Sequence, residues 1–160
     1  MPEAITVRDL TITPTEGGIT APKGFRSAAL HCGIKAKANA LDLAVIAADT
    51  AASAAGLFTT NLAQAAPVLI SRRHLARTGG VARAIVVNSG CANACTGDQG
   101  MSDAGRMATD VAAALACDPS EVLVASTGVI GVNLKMDRVS PGIAGAIGAL
   151  ARGKGSETAR

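Results

Sequence analysis

The sequence predicts a layered α/β domain, and three observations support this. Apolar runs typical of buried strands recur along the chain, at residues 41–48, 83–87 and 122–125. Stretches with helical spacing lie between and after these runs, which indicates helices packed on a sheet. Hydrophobic residues make up 49% and charged residues 17% of the 160 residues, a globular composition. A chain of this length fits a single domain, residues 1–160.

The N-terminal half is predicted to be mostly strands. Residues 5–12 alternate weakly and predict an edge strand, and residues 27–32, 41–48 and 55–60 predict three more. The run at 41–48 is nearly all apolar, as expected of a strand covered on both faces. Residues 67–77 predict a helix, because Pro67 fits its first turn and Gly79-Gly80 follow its end.

The C-terminal half predicts two strands and two helices. Residues 83–87 and 122–125 are the strands. Between them, apolar residues fall on one face of a helix with spacings of four, seven, eight and eleven, namely Ala104, Ala108, Val111, Ala112 and Leu115. Residues 143–151 predict a last helix, entered through Ser140-Pro141. The chain has no Trp or Tyr and only two Phe, so its core has little bulk and depends on a partner.

Composition and charge exclude several classes of protein. A net charge of +3 without a basic run or interleaved aromatics argues against nucleic acid as a partner. No segment approaches the roughly 18 apolar residues of a membrane span, and the N-terminus has no signal-peptide core, so we expect a cytoplasmic protein without membrane contact. The four cysteines and two histidines form no zinc pattern, so no metal is expected. The run GALARGKG at 148–155 lacks the final Ser or Thr, and the preceding strand, of a phosphate-binding loop.

Two strand ends carry the chemistry. The run NSGCANACTG at residues 88–97 follows one strand, and STGVIG at residues 126–131 continues the other. Glycine permits positive φ and close backbone approach, and short polar side chains bond back to the main chain. These stretches predict one shared site, although residues 88–97 equally suit a structural tight turn.

Other candidate residues have structural interpretations. His31 and Cys32 are adjacent in a predicted strand, face opposite sides and indicate a packing pair rather than a nucleophile and its base. Asp42 is expected to be hydrogen-bonded inside the fold. Lys35 fits either a solvated strand end or a ligand contact.

The two motifs, with a series of shorter matches in the right order, resemble the glutamate N-acetyltransferase family, also called ornithine acetyltransferase, of arginine biosynthesis. The shorter matches are APKGF at 21–25, GIK at 33–35, LDLAV at 41–45, GLFTTN at 56–61 and AAPV at 65–68. The resemblance covers nearly the whole chain. It implies the family's layered helix-sheet sandwich, with sheets completed by a separate β chain.

The resemblance also implies a chemistry. Family precursors cut themselves before a threonine, which becomes the β chain's N-terminal nucleophile, with the freed amine as base. Acetyl passes from N-acetylornithine, or in some members acetyl-CoA, through acetyl-threonine to glutamate, without a bound cofactor. Thr127 and Gly128 match the family's Ser-Thr-Gly motif, where a hydroxyl and a backbone N–H form the oxyanion hole. The alternative for Thr127 is a capping role in a strand-end turn.

This sequence contains neither the family's Ala-Thr cleavage junction nor the Lys-Gly-rich segment before it. We therefore expect most of an α chain, inactive alone, in a heterotetramer of two α and two β chains. Shared strands predict an obligate interface above about 2,000 Å². A small-ligand or anion-binding α/β module without catalysis, or a purely structural subunit, is the alternative.

Overall fold

The computed structural model describes residues 5–7, 10–12 and 18–158. At the N-terminus, strands β1 (Ile5–Val7) and β2 (Leu10–Ile12) pair with each other, antiparallel. The prediction of a single edge strand over residues 5–12 is therefore wrong. The segment folds back so that Ile5 faces Ile12, and its strand hydrogen bonds are made locally, outside the main sheet.

The main sheet has four strands in the order β3 (Phe25–Leu30), β4 (Leu43–Ser53), β5 (Val81–Cys91) and β6 (Val122–Val129). Strand β4 is antiparallel to both β3 and β5, while β5 and β6 are parallel. The carboxyl ends of β5 and β6 therefore meet at one edge of the sheet. The predicted strands at 27–32, 41–48, 83–87 and 122–125 are confirmed, with shifted ends.

Helices α1 (Ala66–Thr78), α2 (Gly97–Leu115) and α3 (Met136–Gly148) pack against the sheet, followed by a single turn, α4 (Gly155–Thr158). Helix α1 has Pro67 in its first turn, as predicted, and is followed by Gly79, which is left-handed at φ 64° and donates its N–H to the carbonyl of Leu75. The apolar face predicted for residues 104–115 is the buried face of α2. The mixed α/β fold is thus confirmed.

The core lies on one face of the sheet. Alternate residues of β4 and β5 are buried there, including Leu43, Val45 and Val86, and they meet the inner faces of the helices. Met107 of α2 and Ile143 of α3 are fully enclosed. This core is built from aliphatic residues and methionine, as the low aromatic content requires.

The opposite face of the sheet is only partly covered. Ile46, Ile85 and Leu123 point to this side, and Ile85 is 36% exposed. Around them lies an open depression of about 280 Å³. At the far edge of this face, Thr158 of α4 donates its hydroxyl to Ser27, the cross-strand partner of Ile46. The expectation that β4 is covered on both faces holds for one face only in this chain.

Two further element predictions differ from the structure. Residues 55–60 form a loop, because Thr59 and Asn61 accept hydrogen bonds from the nearby N–H groups of Asn61 and Ala63 and so replace strand pairing with local turns. The last predicted helix, 143–151, begins earlier, at Met136, and ends at Gly148. Pro141 lies within α3 on its exposed side, where the unbonded carbonyl one turn earlier can reach water. Ala151 pairs instead with Ser27 of β3.

Candidate functional site

The structure brings the two sequence motifs together at the carboxyl edge of β5 and β6. In the parallel register, Ser89 lies beside Thr127 and Gly90 beside Gly128. Further along, the N–H of Ala92 donates to the carbonyl of Val129, and that of Gly131 to Ala94. The two runs, nearly forty residues apart in the chain, therefore form one continuous surface.

The polar motif residues belong partly to the strands themselves. Strand β5 continues through Asn88 to Cys91, and β6 continues to Val129, whereas the sequence predicted loops from residues 88 and 126. Backbone pairing does not require apolar side chains, and the buried Asn88 amide is held by donating to the carbonyl of Cys91 at 2.8 Å. The site is therefore built on strand backbone.

Gly128 lies where no other residue fits. Its φ is 132°, a conformation that side chains rarely adopt. An added Cβ would lie 2.3 Å from the carbonyl carbon of Gly90 and 2.6 Å from the nitrogen of Cys91, both backbone atoms. The pairing is irregular at this point, with a bulge at Gly90 and Cys91. This close approach of two backbones explains the glycine.

Thr127 is exposed at the sheet edge. Among the described residues, no protein group is hydrogen-bonded to its hydroxyl. A threonine that capped a strand end would bond a nearby backbone group, so the free hydroxyl disfavours the capping interpretation. The geometry leaves this donor available to a ligand.

A polar cluster fixes the chain between the site and α2. Asn93 is fully buried at φ 47°, donates its amide N–H to the carbonyl of Gly100 at 2.8 Å, and accepts from the Thr96 hydroxyl at 2.7 Å. An added Cβ on Gly100 would lie 1.9 Å from the Thr96 hydroxyl oxygen. Residues 92–97 thus have the structural role that sequence reasoning left open for this stretch.

Asp42 is buried under the loop of residues 31–35, as expected of a residue hydrogen-bonded inside the fold. Its carboxylate accepts from the backbone N–H of Cys32 at 2.6 Å, Gly33 at 3.1 Å and Lys35 at 3.0 Å. Burial opposes the ionised form, but these hydrogen bonds outweigh it and hold the pKa of Asp42 below its usual 3.8. The carboxylate is therefore charged at neutral pH.

The other sequence candidates have structural roles. Burial, with the neighbouring Asp42 carboxylate, raises the pKa of the Cys32 thiol to about 12, so it stays protonated and is no nucleophile. Nδ1 of His31 lies 2.9 Å from the carbonyl of Ala40 and 3.1 Å from the Asp42 carboxylate, consistent with packing. The Lys35 ammonium donates to the carbonyl of Leu41 at 3.0 Å, and the residue is half-buried in a loop beyond the end of β3, so it is not a solvated strand-end charge.

A cavity of about 290 Å³ adjoins the site. Its walls come from the loop over β5, the two strand ends and the start of α3: Ile34, Gly90, Cys91, Val129, Val132, Asn133 and Lys135. Gly90 belongs to the run at 88–97 that the sequence predicted as part of a shared site, whereas the contribution of Ile34 from loop 31–35 was missed and is revealed only by the structure. Within residues 18–158, no three His, Cys, Asp or Glu side chains group as a metal site. No helix in the described part is long and apolar enough to cross a membrane.

Fold and site together define an α/β domain in which two parallel strands end side by side at Gly90 and Gly128, next to an exposed threonine hydroxyl that has no hydrogen-bond partner among the described residues. The ArgJ family model matches residues 26–160, and the chain belongs to this family.

Similar proteins support this assignment. The chain is 52% identical over 129 residues to the arginine biosynthesis bifunctional protein ArgJ of Dehalococcoides mccartyi, covering 80% of this chain and 31% of that protein. The corresponding protein of Symbiobacterium thermophilum is 50% identical over 144 residues, and the match covers 89% of this chain and 35% of that protein. The chain thus spans about a third of the length of the curated relatives it matches.

A crystal structure of ornithine acetyltransferase complexed with ornithine, from Mycobacterium tuberculosis, superposes with a TM-score of 0.82 at 43% identity. The match covers 89% of this chain and 77% of that one. The sequence resemblance and the predicted fold class are therefore confirmed.

Proposed function

We propose that this chain is the α subunit of an acetyltransferase that moves acetyl from N-acetylornithine to glutamate. Its contribution is the oxyanion hole, formed by the Thr127 hydroxyl and the Gly128 N–H. The main support is the packing of Gly128 against Gly90 and Cys91, which fixes this N–H at the sheet edge. The relative from Mycobacterium tuberculosis binds ornithine, which supports an ornithine-bearing donor here.

The chemistry requires a nucleophile from the β chain. Its N-terminal threonine oxygen attacks the acetyl carbonyl carbon, and the hydroxyl proton passes to the threonine α-amine. Negative charge then develops on the carbonyl oxygen, where Thr127 and Gly128 donate hydrogen bonds. Collapse releases ornithine, which takes up the proton, and leaves acetyl-threonine. The glutamate amine next attacks the carbonyl carbon of acetyl-threonine, the bond from that carbon to the threonine oxygen breaks, and N-acetylglutamate leaves. The proton lost by the glutamate nitrogen passes through the threonine α-amine to the threonine oxygen.

The partly covered face of the sheet is the surface we assign to the β chain. Ile46, Ile85 and Leu123 line the depression there, and Leu57 and Leu62 are fully exposed on the neighbouring loop. Apolar surface of this kind is typical of a permanent interface. We propose an assembly of two α and two β chains in the cytoplasm.

The anion-binding alternative is less well supported. An anion cradle requires free backbone N–H groups, whereas Ser89 donates to the carbonyl of Asp42 at 2.9 Å and Ala92 to that of Val129 at 2.9 Å. Retention of this chain on immobilised nucleotide would favour the alternative.

The decisive experiment compares the chain alone with the chain co-produced beside its β chain. We expect the co-produced material to transfer acetyl from N-acetylornithine to glutamate, and mass spectrometry to show a β chain that begins with threonine. The isolated chain should be inactive. Robust transfer by these 160 residues alone would overturn the subunit assignment.

A further inference from the structure

A second set of contacts connects the candidate site to the carboxylate of Asp42, which lies beneath loop 31–35. This side chain has no exposed surface, so its charge must be matched by hydrogen bonds inside the protein. Three backbone N–H groups of loop 31–35 supply them. Because one carboxylate binds three successive parts of the loop, it determines the loop's shape.

Loop 31–35 rests directly on strand β5. An added Cβ on Gly90 would lie 3.0 Å from Cγ2 of Ile34 and 3.0 Å from Cγ of Lys35. The Asp42 carbonyl also accepts the N–H of Ser89 at 2.9 Å. Asp42 is therefore linked to residues 89 and 90 twice, once through the loop and once through its own backbone.

Gly90 in turn lies against Gly128. The Cβ position of Gly128 is 2.3 to 2.7 Å from backbone atoms of Gly90 and Cys91. The Gly128 position has no room for a methyl group, and a methyl group on Gly90 would press against the Ile34 and Lys35 side chains. Closely packed layers of this kind transmit a displacement instead of absorbing it.

We propose that Asp42 is a positioning residue for the Gly128 N–H. The carboxylate holds loop 31–35, the loop holds Gly90, and Gly90 fixes the place of Gly128. Asp42 does not touch the substrate. The inference rests on the proposed function, because it assigns Asp42 a role in keeping the oxyanion hole aligned.

Asp42→Asn tests this in the assembled enzyme, the chain co-produced with its β chain. An amide leaves one oxygen to accept and turns an NH₂ group towards the loop N–H groups, so the loop should shift. We expect kcat to fall about 10- to 100-fold with KM changed by less than about threefold, since misplacement by about 1 Å costs up to about 10²-fold in rate.

Asp49→Asn is the matched control. Asp49 is another carboxylate, lying in β4, that is bound by two arginines, Arg26 at 3.0 Å and Arg152 at 2.6 Å. It is seven residues from Asp42, which along an extended strand is about 23 Å. Its loss should lower stability but leave kcat within about twofold. Equal effects of the two substitutions on kcat would overturn the proposal.

Turnover is normalised to the acetylated β chain, counted by intact mass. A purely structural role for Asp42 would reduce the amount of acetylated enzyme and leave turnover per acetylated site unchanged, which would contradict the proposal. If Asp42→Asn does not assemble, Ile34→Ala removes the layer on Gly90 without touching the carboxylate. It should lower kcat at least threefold, and an unchanged kcat would likewise contradict the proposal.

Hydrogen exchange separates this inference from the proposed function. In Asp42→Asn, the amides of residues 32–35 and of Ala92, whose N–H donates to the Val129 carbonyl beside Gly128, should exchange faster than in the wild type, with residues 45–53 unchanged. If the wild-type assembly transfers no acetyl, the proposed function fails, and exchange alone decides the link between Asp42 and the strand end that carries Gly128. Unchanged Ala92 exchange would overturn that link.

Discussion

Replacing Gly128 by alanine tests the site most directly, because the structure gives the size of the disturbance. The new Cβ would lie 2.3 Å from the Gly90 carbonyl carbon. An ordinary contact is about 3.4 Å or more, so strands β5 and β6 would have to separate by about 1.1 Å. The φ of 132° adds backbone strain of order 1–3 kcal/mol. Misplacement by about 1 Å predicts a fall in kcat of about 10²-fold.

The assay is acetyl transfer from N-acetylornithine to glutamate by the assembled enzyme, with folding followed by thermal melting. Gly131→Ala is the control, since Gly131 also has positive φ, 81°, but an added Cβ would meet nothing within 4 Å. We expect this control to keep kcat within about threefold, because no strand is displaced. A folded Gly128→Ala enzyme with kcat within about threefold of the wild type would refute the reasoning.

Four further predictions concern the Thr127 hydroxyl, association with the β chain, solubility of the isolated chain and acid stability. Thr127→Ala should lower kcat by about 10² to 10³ with little change in KM, because its hydroxyl binds charge present only in the transition state; a loss below about threefold would restore the capping role. Ile85→Lys, on the partly covered sheet face, should abolish co-purification with the β chain. Arg73→Lys, at an exposed position of α1, should leave co-purification unchanged. The isolated wild-type chain should aggregate, so a monodisperse monomer with a cooperative melt would contradict that interface. The free energy of unfolding should fall as pH drops below about 4, because Asp42 has a lowered pKa in the folded state and its contribution is lost on protonation. In urea titrations between pH 3 and 7, the free energy of unfolding should fall less with decreasing pH for Asp42→Asn than for the wild type.

Local patterns predicted most of the regular structure. Helix α2 was predictable because its apolar residues recur with helical spacing, and α1 because a proline and a glycine pair mark its ends. The strand prediction for residues 55–60 was wrong. Their apolar and β-branched content suits a strand, but side-chain hydrogen bonds at Thr59 and Asn61 form turns instead. The start of α3 was predicted too late because Pro141 was expected to precede the helix. Its exposed position makes a proline within the helix tolerable.

The candidate site was predictable in part. The motif predicts Thr127 and Gly128 as site residues, which stays a prediction, and their place beside residues 88–91 follows from the parallel pairing of two strands. The contribution of Asp42 was not predictable, because its effect on Gly128 passes through a loop and a third strand. Such contacts depend on register and on distances of a few tenths of an ångström, which no local pattern encodes.

The parallel pairing of β5 and β6 also sets the order in which the protein acquires its site. Parallel neighbours require a crossover, here α2 and the short helical turn Pro119–Glu121. The chain must close this loop before Gly128 can meet Gly90, and non-local contacts of this kind form slowly. We therefore expect the pairing of Gly128 with Gly90 to form late in folding. A nascent chain ending before β6 would lack both groups of the proposed oxyanion hole.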